Sequence, residues 1–322
     1  MSVYDVPEGW VIGYPQIAKI ADQQMHIFWP WDEPAVDNDI QDLRVHMAEG
    51  DKHGLIEVLK LFTLYEMRVG SDYWINRIAK RFQRPEFQRL ATIASCVEFN
   101  SHAPFYNRIN EILYLDNEDF YSEWKHQEAL SSRMQFIAKA VSDEDDARSI
   151  AAFSFIEGSV LYSSFAYIKH FQAQKYRKNL VKNTCRGVDL SVGDENLHAV
   201  AGAAIFNILC DEIPNKREQL SEDIYTMAAT VLDHEKAIID IVFQHNPTGI
   251  TKDSLVEFVK HRINLCLEQL GYEPLYTVTD TEVQEWFYEN INAYKLHDFF
   301  TGSGSEYTLK WKKEGFESVW QK

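Results

Sequence analysis

Four glutamates of this 322-residue chain lie inside strongly apolar stretches with helical spacing. The stretches read LFTLYEM, IASCVEF, FSFIEGS and SVGDENLHAV. An ionised carboxylate that is buried without a partner is strongly destabilising. Few lysines and arginines lie on these helix faces, so the fold must bring other cations or protons to the four carboxylates, which are Glu66, Glu98, Glu157 and Glu195.

Two histidines accompany these glutamates. His102 follows Glu98 by four residues and His198 follows Glu195 by three, and both spacings place the pair on one face of a helix. The order Glu, Glu–His, Glu, Glu–His is a twofold internal repetition. Helical bundles with a di-metal carboxylate core use this arrangement. An isolated pair of this kind is more often a surface pair, but six such residues in apolar runs favour a metal site.

The rest of the sequence predicts an all-α protein, a ferritin-like helical bundle with a di-metal carboxylate core. Glycine and proline are sparse, at 14 and 9 residues, and helical periodicity dominates. We predict one domain over residues 1–300, with an N-terminal arm. A TGSGS linker then leads into the tail, 301–322, which is too short to fold alone and ends in Phe316 and Trp320, as expected of a docking peptide. The predicted helices span about 54–82, 84–113, 146–174, 187–210, 219–245 and 252–270.

Composition excludes several classes of protein. The formal charge of −17 argues against nucleic acid or an anionic membrane surface as the main partner. No run approaches about 18 uninterrupted apolar residues, and the first residues lack a basic segment followed by an apolar one. We therefore expect no membrane span, no signal peptide and a cytoplasmic location. The four cysteines are far apart and form no CxxC, which predicts reduced core thiols.

The segments YEMRVG, VEFNSHAPFYNRIN, FIEGSVLYSSFAY and DENLHAVAG resemble the four ligand helices of class I ribonucleotide reductase small subunits, especially those of phage type. With FWPWDE near the start, the resemblance covers nearly the whole chain. It implies the small subunit of ribonucleoside-diphosphate reductase, in which two metal ions and dioxygen generate a radical. The radical passes to the large subunit, which converts ribonucleotides to deoxyribonucleotides. A homodimer, docking through the C-terminal tail and, for a phage protein, the host cytoplasm are also implied.

The resemblance also assigns the site residues. Glu66, Glu98 and His102 would hold one metal, and Glu157, Glu195 and His198 the other. Asp194 and Trp29 would join a metal-bound histidine in a hydrogen-bonded radical-transfer route, and Tyr307 would relay the radical across the subunit interface. Oxygen-rich ligation suits iron or manganese better than zinc. We expect a di-iron pair, with manganese–iron and dimanganese pairs as alternatives because they share these ligands.

The chain departs from the family pattern between Glu98 and His102, which are one residue further apart than in Glu-x-x-His. Counted from His102, the radical tyrosine of the family falls on Tyr106; counted from Glu98, the same position falls on Phe105. Pro104 already breaks the helical hydrogen-bond ladder, and a one-residue π-bulge would absorb the extra residue. We therefore prefer Tyr106. With Phe105 in that position, the oxidising equivalent would be stored on a manganese–iron pair.

A second departure is Gly193, where an arginine commonly precedes the Asp–Glu pair, but it removes no ligand. Two other functions stay open. A stand-alone di-metal oxidase or oxygenase could use the same scaffold, although it would have no use for the linked aromatic tail. A non-catalytic iron store is the other alternative, although storage proteins of this kind are usually much shorter.

Overall fold

The computed structural model describes residues 2–289, and these contain helices and no β-strand. The predicted tail, with Tyr307, Phe316 and Trp320, lies outside the described residues. The α-helices are α1 Pro15–Ile27, α2 Glu49–Arg68, α3 Pro85–Val97, α4 Ala103–Ile112, α5 Glu118–Ser122, α6 Glu128–Ser142, α7 Asp146–Phe155, α8 Tyr162–Lys169, α9 Lys182–Glu212, α10 Lys216–Gln219, α11 Ser221–Val242, α12 Lys252–Gln269 and α13 Glu282–Phe287.

Four π-helical segments and three short 3₁₀ turns complete the secondary structure of the described part. Two of the π-helical segments contain a glutamate predicted as a ligand, and a third begins three residues after Glu66. π-Helical turns are frequent at functional sites. The π-helical segments are Asp42–His46, Val69–Ala79, Glu98–His102 and Ile156–Val160. The 3₁₀ turns are Val36–Asp39, Glu123–His126 and Gln174–Tyr176.

Local sequence explains where several helices begin. Pro85 and Pro104 stand in the first turns of α3 and α4, where a missing N–H costs nothing. The side chain of Asp145 accepts hydrogen bonds from two backbone N–H groups at the start of α7. Thr251 and Ser254 form a reciprocal capping box at the start of α12.

The helices that carry the six predicted ligands pack against one another. α2 contacts α4 and the π-helical segment Glu98–His102, while α9 contacts α7 and the π-helical segment Ile156–Val160. The buried apolar side chains of the described residues form one continuous core. The predicted all-α architecture is confirmed, and the site lies at the centre of this core.

One stretch of the described chain, Asp146–Tyr176, is long and apolar enough to cross a membrane on those criteria alone. Its most apolar window is completely buried inside the protein. Burial of this kind is expected of a core helix. The stretch contains α7, a π-helical segment and α8, which hold Glu157 within the bundle.

Candidate metal centre

The six predicted residues converge in two overlapping groups. One ligand atom from each of Glu66, Glu98, His102 and Glu195 lies within 4.8 Å of the others, and the same holds for Glu98, Glu157, Glu195 and His198. The resemblance assigned Glu98 to one metal and Glu195 to the other, whereas the structure places each of them in both groups. Both glutamates belong to both groups, which is the position of carboxylates that can bridge two cations.

The Nδ1 atoms of the two histidines face the shared glutamates. Nδ1 of His102 lies 3.0 Å from Oε2 of Glu98 and 3.2 Å from Oε1 of Glu195. Nδ1 of His198 lies 3.0 Å from Oε1 of Glu98 and 3.6 Å from Oε2 of Glu195. Each shared carboxylate thus directs one oxygen towards each imidazole.

The two remaining glutamates stand at opposite ends of the cluster. Oε2 of Glu66 lies 3.6 Å from Nδ1 of His102, and Oε2 of Glu157 lies 3.7 Å from Nδ1 of His198. Glu66 comes from the last turn of α2, and Glu157 comes from the π-helical segment between α7 and α8. The order Glu, Glu–His that occurs twice in the sequence thus corresponds to two similar groups of ligands in space.

The extra residue between Glu98 and His102 is accommodated by a π-helical turn, as the sequence predicted. Residues Glu98–His102 form a π-helical segment, and α4 begins directly afterwards with Pro104 in its first turn. The wider turn absorbs one residue, so the two side chains stay on the same side of the helix. The predicted π-bulge is confirmed.

The cluster is buried and short of hydrogen-bond partners. All six side chains are at most 3% exposed. Within residues 2–289 seven of their polar atoms make no hydrogen bond, and such atoms in a core require an explanation. They are Glu66 Oε1, Glu98 Oε1, Glu157 Oε1, both carboxylate oxygens of Glu195 and both ring nitrogens of His198.

Cations fit this donor set. Two divalent ions would neutralise four ionised carboxylates while both imidazoles stay neutral, which is the form in which histidine binds a metal. Oxygen ligands with two imidazoles suit iron and manganese. The cluster is therefore a di-metal site by its chemistry.

The electrostatics of the cluster without metal show the same need for positive charge. Burial raises the pKa of Glu66 and Glu157 well above the ordinary glutamate value, and the neighbouring carboxylates raise it further. Burial acts in the same direction on Glu98 and Glu195, but the two imidazoles outweigh it and lower the pKa of both. Burial works to lower the pKa of the two histidines, yet the carboxylates around them raise it well above 6.5.

Asp194 links the cluster to Trp29. Its Oδ2 lies 2.9 Å from Nε2 of His102 and accepts a 2.7 Å hydrogen bond from Nε1 of Trp29. Its Oδ1 accepts a 2.6 Å hydrogen bond from Nε2 of Gln24. A carboxylate behind a metal-binding imidazole fixes the tautomer of the ring. The structure thus brings Asp194, Trp29 and His102 together.

The sequence reasoning missed Gln24. It lies on the buried face of α1 with Ile17, Ile20 and Ala21, and it is fully buried. A polar residue on an apolar helical stripe was the signal that identified Glu66, and the same signal was available here. Gln24 donates a hydrogen bond to Oδ1 of Asp194, while Oδ2 is the oxygen shared by Trp29 and His102.

Tyr106 and Phe105 take different places beside the cluster. Tyr106 is fully buried, and its hydroxyl donates to Oγ of Ser191 at 3.1 Å. Burial raises the pKa of Tyr106 well above its ordinary value, and the nearby Glu66 carboxylate adds to this effect. Phe105 instead packs edge-on against Trp29, with ring centroids 5.8 Å apart. Tyr106 is the aromatic residue of this pair that carries an oxidisable hydroxyl next to the acidic cluster.

The glycine at position 193, where the family commonly has an arginine, does not affect the packing of the described residues. A Cβ at this position would meet no heavy atom within 4 Å in the described structure. A side chain there would enter open space, so the absence of the usual arginine leaves the ligands and Asp194 in place.

Comparison with known proteins agrees with this geometry. The family "Ribonucleotide reductase, small chain" matches residues 10–284. A relative from Invertebrate iridescent virus 3, named probable ribonucleoside-diphosphate reductase small subunit 048L, is 25% identical over 319 residues, covering 91% of this chain and 82% of the relative. The ribonucleoside-diphosphate reductase 2 subunit beta of Escherichia coli K12 is 26% identical over 224 residues, covering 68% of each chain.

Solved structures show the same fold. The dimanganese(II)-NrdF crystal structure from Streptococcus sanguinis superposes with a TM-score of 0.78 at 18% identity, covering 89% of this chain and all of the other. The ribonucleotide reductase R2 subunit from Clostridium botulinum gives 0.73 at 23% identity, covering 86% of this chain and 88% of the other. These findings support the reductase interpretation over the stand-alone oxidase. Because the family match spans most of its length, the chain belongs to the ribonucleotide reductase small-chain family.

Proposed function

We propose that this chain is the radical-generating small subunit of a ribonucleoside-diphosphate reductase. The observation that carries the proposal is the continuity from the buried cluster through His102 and Asp194 to Trp29. A protein that only stores iron has no need of such a route. A subunit that delivers an oxidising equivalent elsewhere needs a fixed route out of the cluster.

In this proposal Glu66 and His102 would hold one ion, and Glu157 and His198 would hold the other. Glu98 and Glu195 belong to both groups of potential ligands and would complete the donor set of the pair. We propose iron for the pair, although manganese shares these ligands. When bound, the pair supplies dioxygen reduction and with it a strong one-electron oxidant.

The residues around the metals control protons. Nε2–H of His102 donates to Asp194, so Nδ1 keeps the lone pair that a metal requires. Trp29 donates its indole proton to the same oxygen. When Trp29 loses an electron, Asp194 can hold that proton without any large movement.

We propose Tyr106 as the residue that stores the radical. It is fully buried between Phe62, at a centroid distance of 4.5 Å, and Phe105, at 4.9 Å. Ser191 Oγ accepts its phenolic hydrogen bond. Apolar rings around the phenol exclude water and small reductants, which protects an oxidised side chain.

The partner is the reductase large subunit, which we propose to be engaged by residues 301–322, with Tyr307 relaying the radical. Homodimerisation and a cytoplasmic location belong to the same proposal. Three large apolar side chains offer a surface for a second copy: Met25 on α1, Met67 at the end of α2 and Phe99 after α3 are 56%, 52% and 40% exposed. α1, α3 and the π-helical segment after α2 pack together, so these side chains lie on neighbouring elements.

The decisive experiment adds Fe(II) and dioxygen to the metal-free protein and combines metal analysis with electron paramagnetic resonance. We expect two metals per chain and either an organic radical signal or a mixed-valence metal signal. With the large subunit present, we expect deoxyribonucleotide formation, which deletion of residues 303–322 abolishes. If the truncated protein and the full chain oxidise a small organic substrate equally well, and neither supports nucleotide reduction, the oxidase alternative holds. Uptake of many metals per chain without a radical would instead indicate storage.

A further inference from the structure

Arg262 is a buried cation whose hydrogen bonds reach three separate parts of the bundle. It lies on α12 and is 4% exposed. Its Nε donates to the backbone oxygen of Gly158 at 2.9 Å, and its Nη2 donates to Oδ1 of Asn196 at 3.0 Å. Its Nη1 donates to the hydroxyl of Tyr288 at 2.9 Å. One guanidinium therefore connects α9, the π-helical segment Ile156–Val160 and the residue that follows α13.

Two of these acceptors are the direct neighbours of candidate metal ligands. Gly158 follows Glu157, and Asn196 follows Glu195. Contact at Gly158 is close, because a Cβ there would lie 2.5 Å from Sγ of Cys266 on α12. The cation therefore holds the backbone next to one ligand and the side chain next to the other.

Tyr162 strengthens the connection. The guanidinium of Arg262 lies over the Tyr162 ring at 3.7 Å from its centroid. The hydroxyl of Tyr162 donates to the same amide oxygen of Asn196 at 2.7 Å. Stacking and hydrogen bonding together fix the plane of the guanidinium.

The third acceptor, Tyr288, lies near the end of the described residues. Tyr288 directly follows α13, and its ring contacts the Phe287 ring at a centroid distance of 5.2 Å. Phe287 in turn packs on Phe258 of α12 at 4.7 Å. Residues 290–322, which contain the predicted docking tail, continue from this point.

The charge of Arg262 is not used in an ion pair with any described residue. Among residues 2–289 no carboxylate oxygen lies within 4.0 Å of its guanidinium, in contrast to Arg133, which pairs with Glu235 at 2.8 Å. Arg262 contacts neutral oxygens and an aromatic face instead. Because its planar fork has a fixed geometry, a shift of one acceptor moves the others.

We infer that Arg262 is a positioning residue that couples the Glu157–Glu195–His198 side of the metal centre to Tyr288, which directly follows α13. The inference rests on the proposed function, since it takes these three residues as metal ligands. Coupling between two sites is reciprocal. Metal binding orders the segment around Tyr288, and ordering of that segment raises metal affinity by the same factor.

The test uses the full-length metal-free protein with Mn(II) alone as the probe. Amide hydrogen exchange is measured over 282–288 with and without saturating Mn(II). We expect the metal to slow exchange by about fivefold or more, the lower end of usual coupling between sites. Tyr288→Phe removes one hydrogen bond and should abolish most of this slowing and weaken Mn(II) affinity correspondingly.

Tyr225→Phe is the matched control, because it also loses one hydroxyl hydrogen bond, to the backbone oxygen of Glu273 at 3.1 Å. This variant should keep the wild-type response. If Mn(II) binds the wild type but exchange over 282–288 does not change, or if Tyr288→Phe responds like the wild type, the coupling is refuted while the metal centre stands. If Mn(II) does not bind the wild type at all, the proposed metal centre fails and the coupling fails with it.

Discussion

Trp29 and His102 share one carboxylate oxygen. Oδ2 of Asp194 lies 2.7 Å from the indole nitrogen and 2.9 Å from the imidazole nitrogen, and the two ring centroids are 5.7 Å apart. All three side chains are essentially buried. A cluster of potential metal ligands is therefore joined to a tryptophan near the chain's N-terminus by two hydrogen bonds. In the proposed function these two hydrogen bonds begin the route by which an oxidising equivalent would leave the cluster.

Replacement of this tryptophan should stop radical transfer and leave the metals in place. Trp29→Phe removes the indole donor to Asp194, the carboxylate that contacts His102. We expect deoxyribonucleotide formation to fall by about 10–100-fold or more, the usual range for losses among the groups that surround a metal ligand. Metal content should not change. Trp31→Phe is the control, because Trp31 is 39% exposed, and it should keep activity. Equal losses in both variants would contradict the proposed route.

Tyr106→Phe should abolish an organic radical signal while both metals still bind. The hydroxyl makes one described hydrogen bond, to Ser191, so the loss of stability should be about 1 kcal/mol. Tyr167→Phe is a matched control: Tyr167 is equally buried and loses one hydrogen bond, to the backbone oxygen of Asp51. Electron paramagnetic resonance on both variants provides the measurement. A full tyrosyl signal in Tyr106→Phe would place the radical elsewhere.

Neutralising one ligand should stabilise the metal-free protein. Burial holds the pKa of Glu157 well above its ordinary value, so at neutral pH the metal-free fold must either protonate this carboxyl or bury its charge. Glu157→Gln removes that cost, and we expect a gain of about 1 kcal/mol or more, since His198 is the one cationic side chain paired with Glu157 among the described residues. The variant should lose the stabilisation by metal, which reaches about 2.7 kcal/mol at a hundredfold excess over Kd. Urea unfolding with and without chelator gives both values.

Glu235→Gln is the control for this experiment. Glu235 is equally buried but pairs with Arg133, so the same substitution should destabilise by about 3–5 kcal/mol. We predict that Glu157→Gln raises the free energy of unfolding of the metal-free protein and that Glu235→Gln lowers it. Destabilisation of the metal-free protein by Glu157→Gln would show that its carboxylate already has a sufficient partner.

Charges introduced on the exposed apolar surface should separate the subunits. The double variant Met25→Glu, Met67→Glu is expected to sediment as a monomer, because a dimer would bury both carboxylates. Val45→Glu is the control, since Val45 is also strongly exposed, at 67%, but lies on another segment. Sedimentation velocity decides the question. If the double variant sediments as a dimer, a different surface forms the contact.

Acid should destabilise the fold through His170. Burial lowers the pKa of this imidazole from 6.5 to about 4, so the unfolded chain binds a proton in this window and the folded chain does not. Stability therefore falls as the pH drops from about 6.5 towards 4, by at most about 3 kcal/mol. His170→Phe should flatten the pH dependence of urea unfolding over this range. An unchanged slope would exclude His170 as its source.

The sequence alone was sufficient for the helical class, for the six ligand candidates and for the π-bulge. A glutamate on an apolar helical stripe is visible in one dimension, because helical spacing decides which residues share a face. Glu66 and Glu157 could be identified in this way without any knowledge of their neighbours. The extra residue between Glu98 and His102, next to Pro104, likewise depends on local backbone geometry only.

The tertiary structure decided which groups meet. Asp194 and Trp29 are 165 residues apart in sequence, and only the family resemblance linked them, because no local pattern shows that α9 and the segment after α1 come within one hydrogen bond. The sharing of Glu98 and Glu195 between both ligand groups, and the connection of Arg262 to Tyr288, likewise depend on how helices rotate and cross when they pack. Periodicity identifies the buried face of each helix, but only the packed core determines which atoms on different helices come within bonding distance.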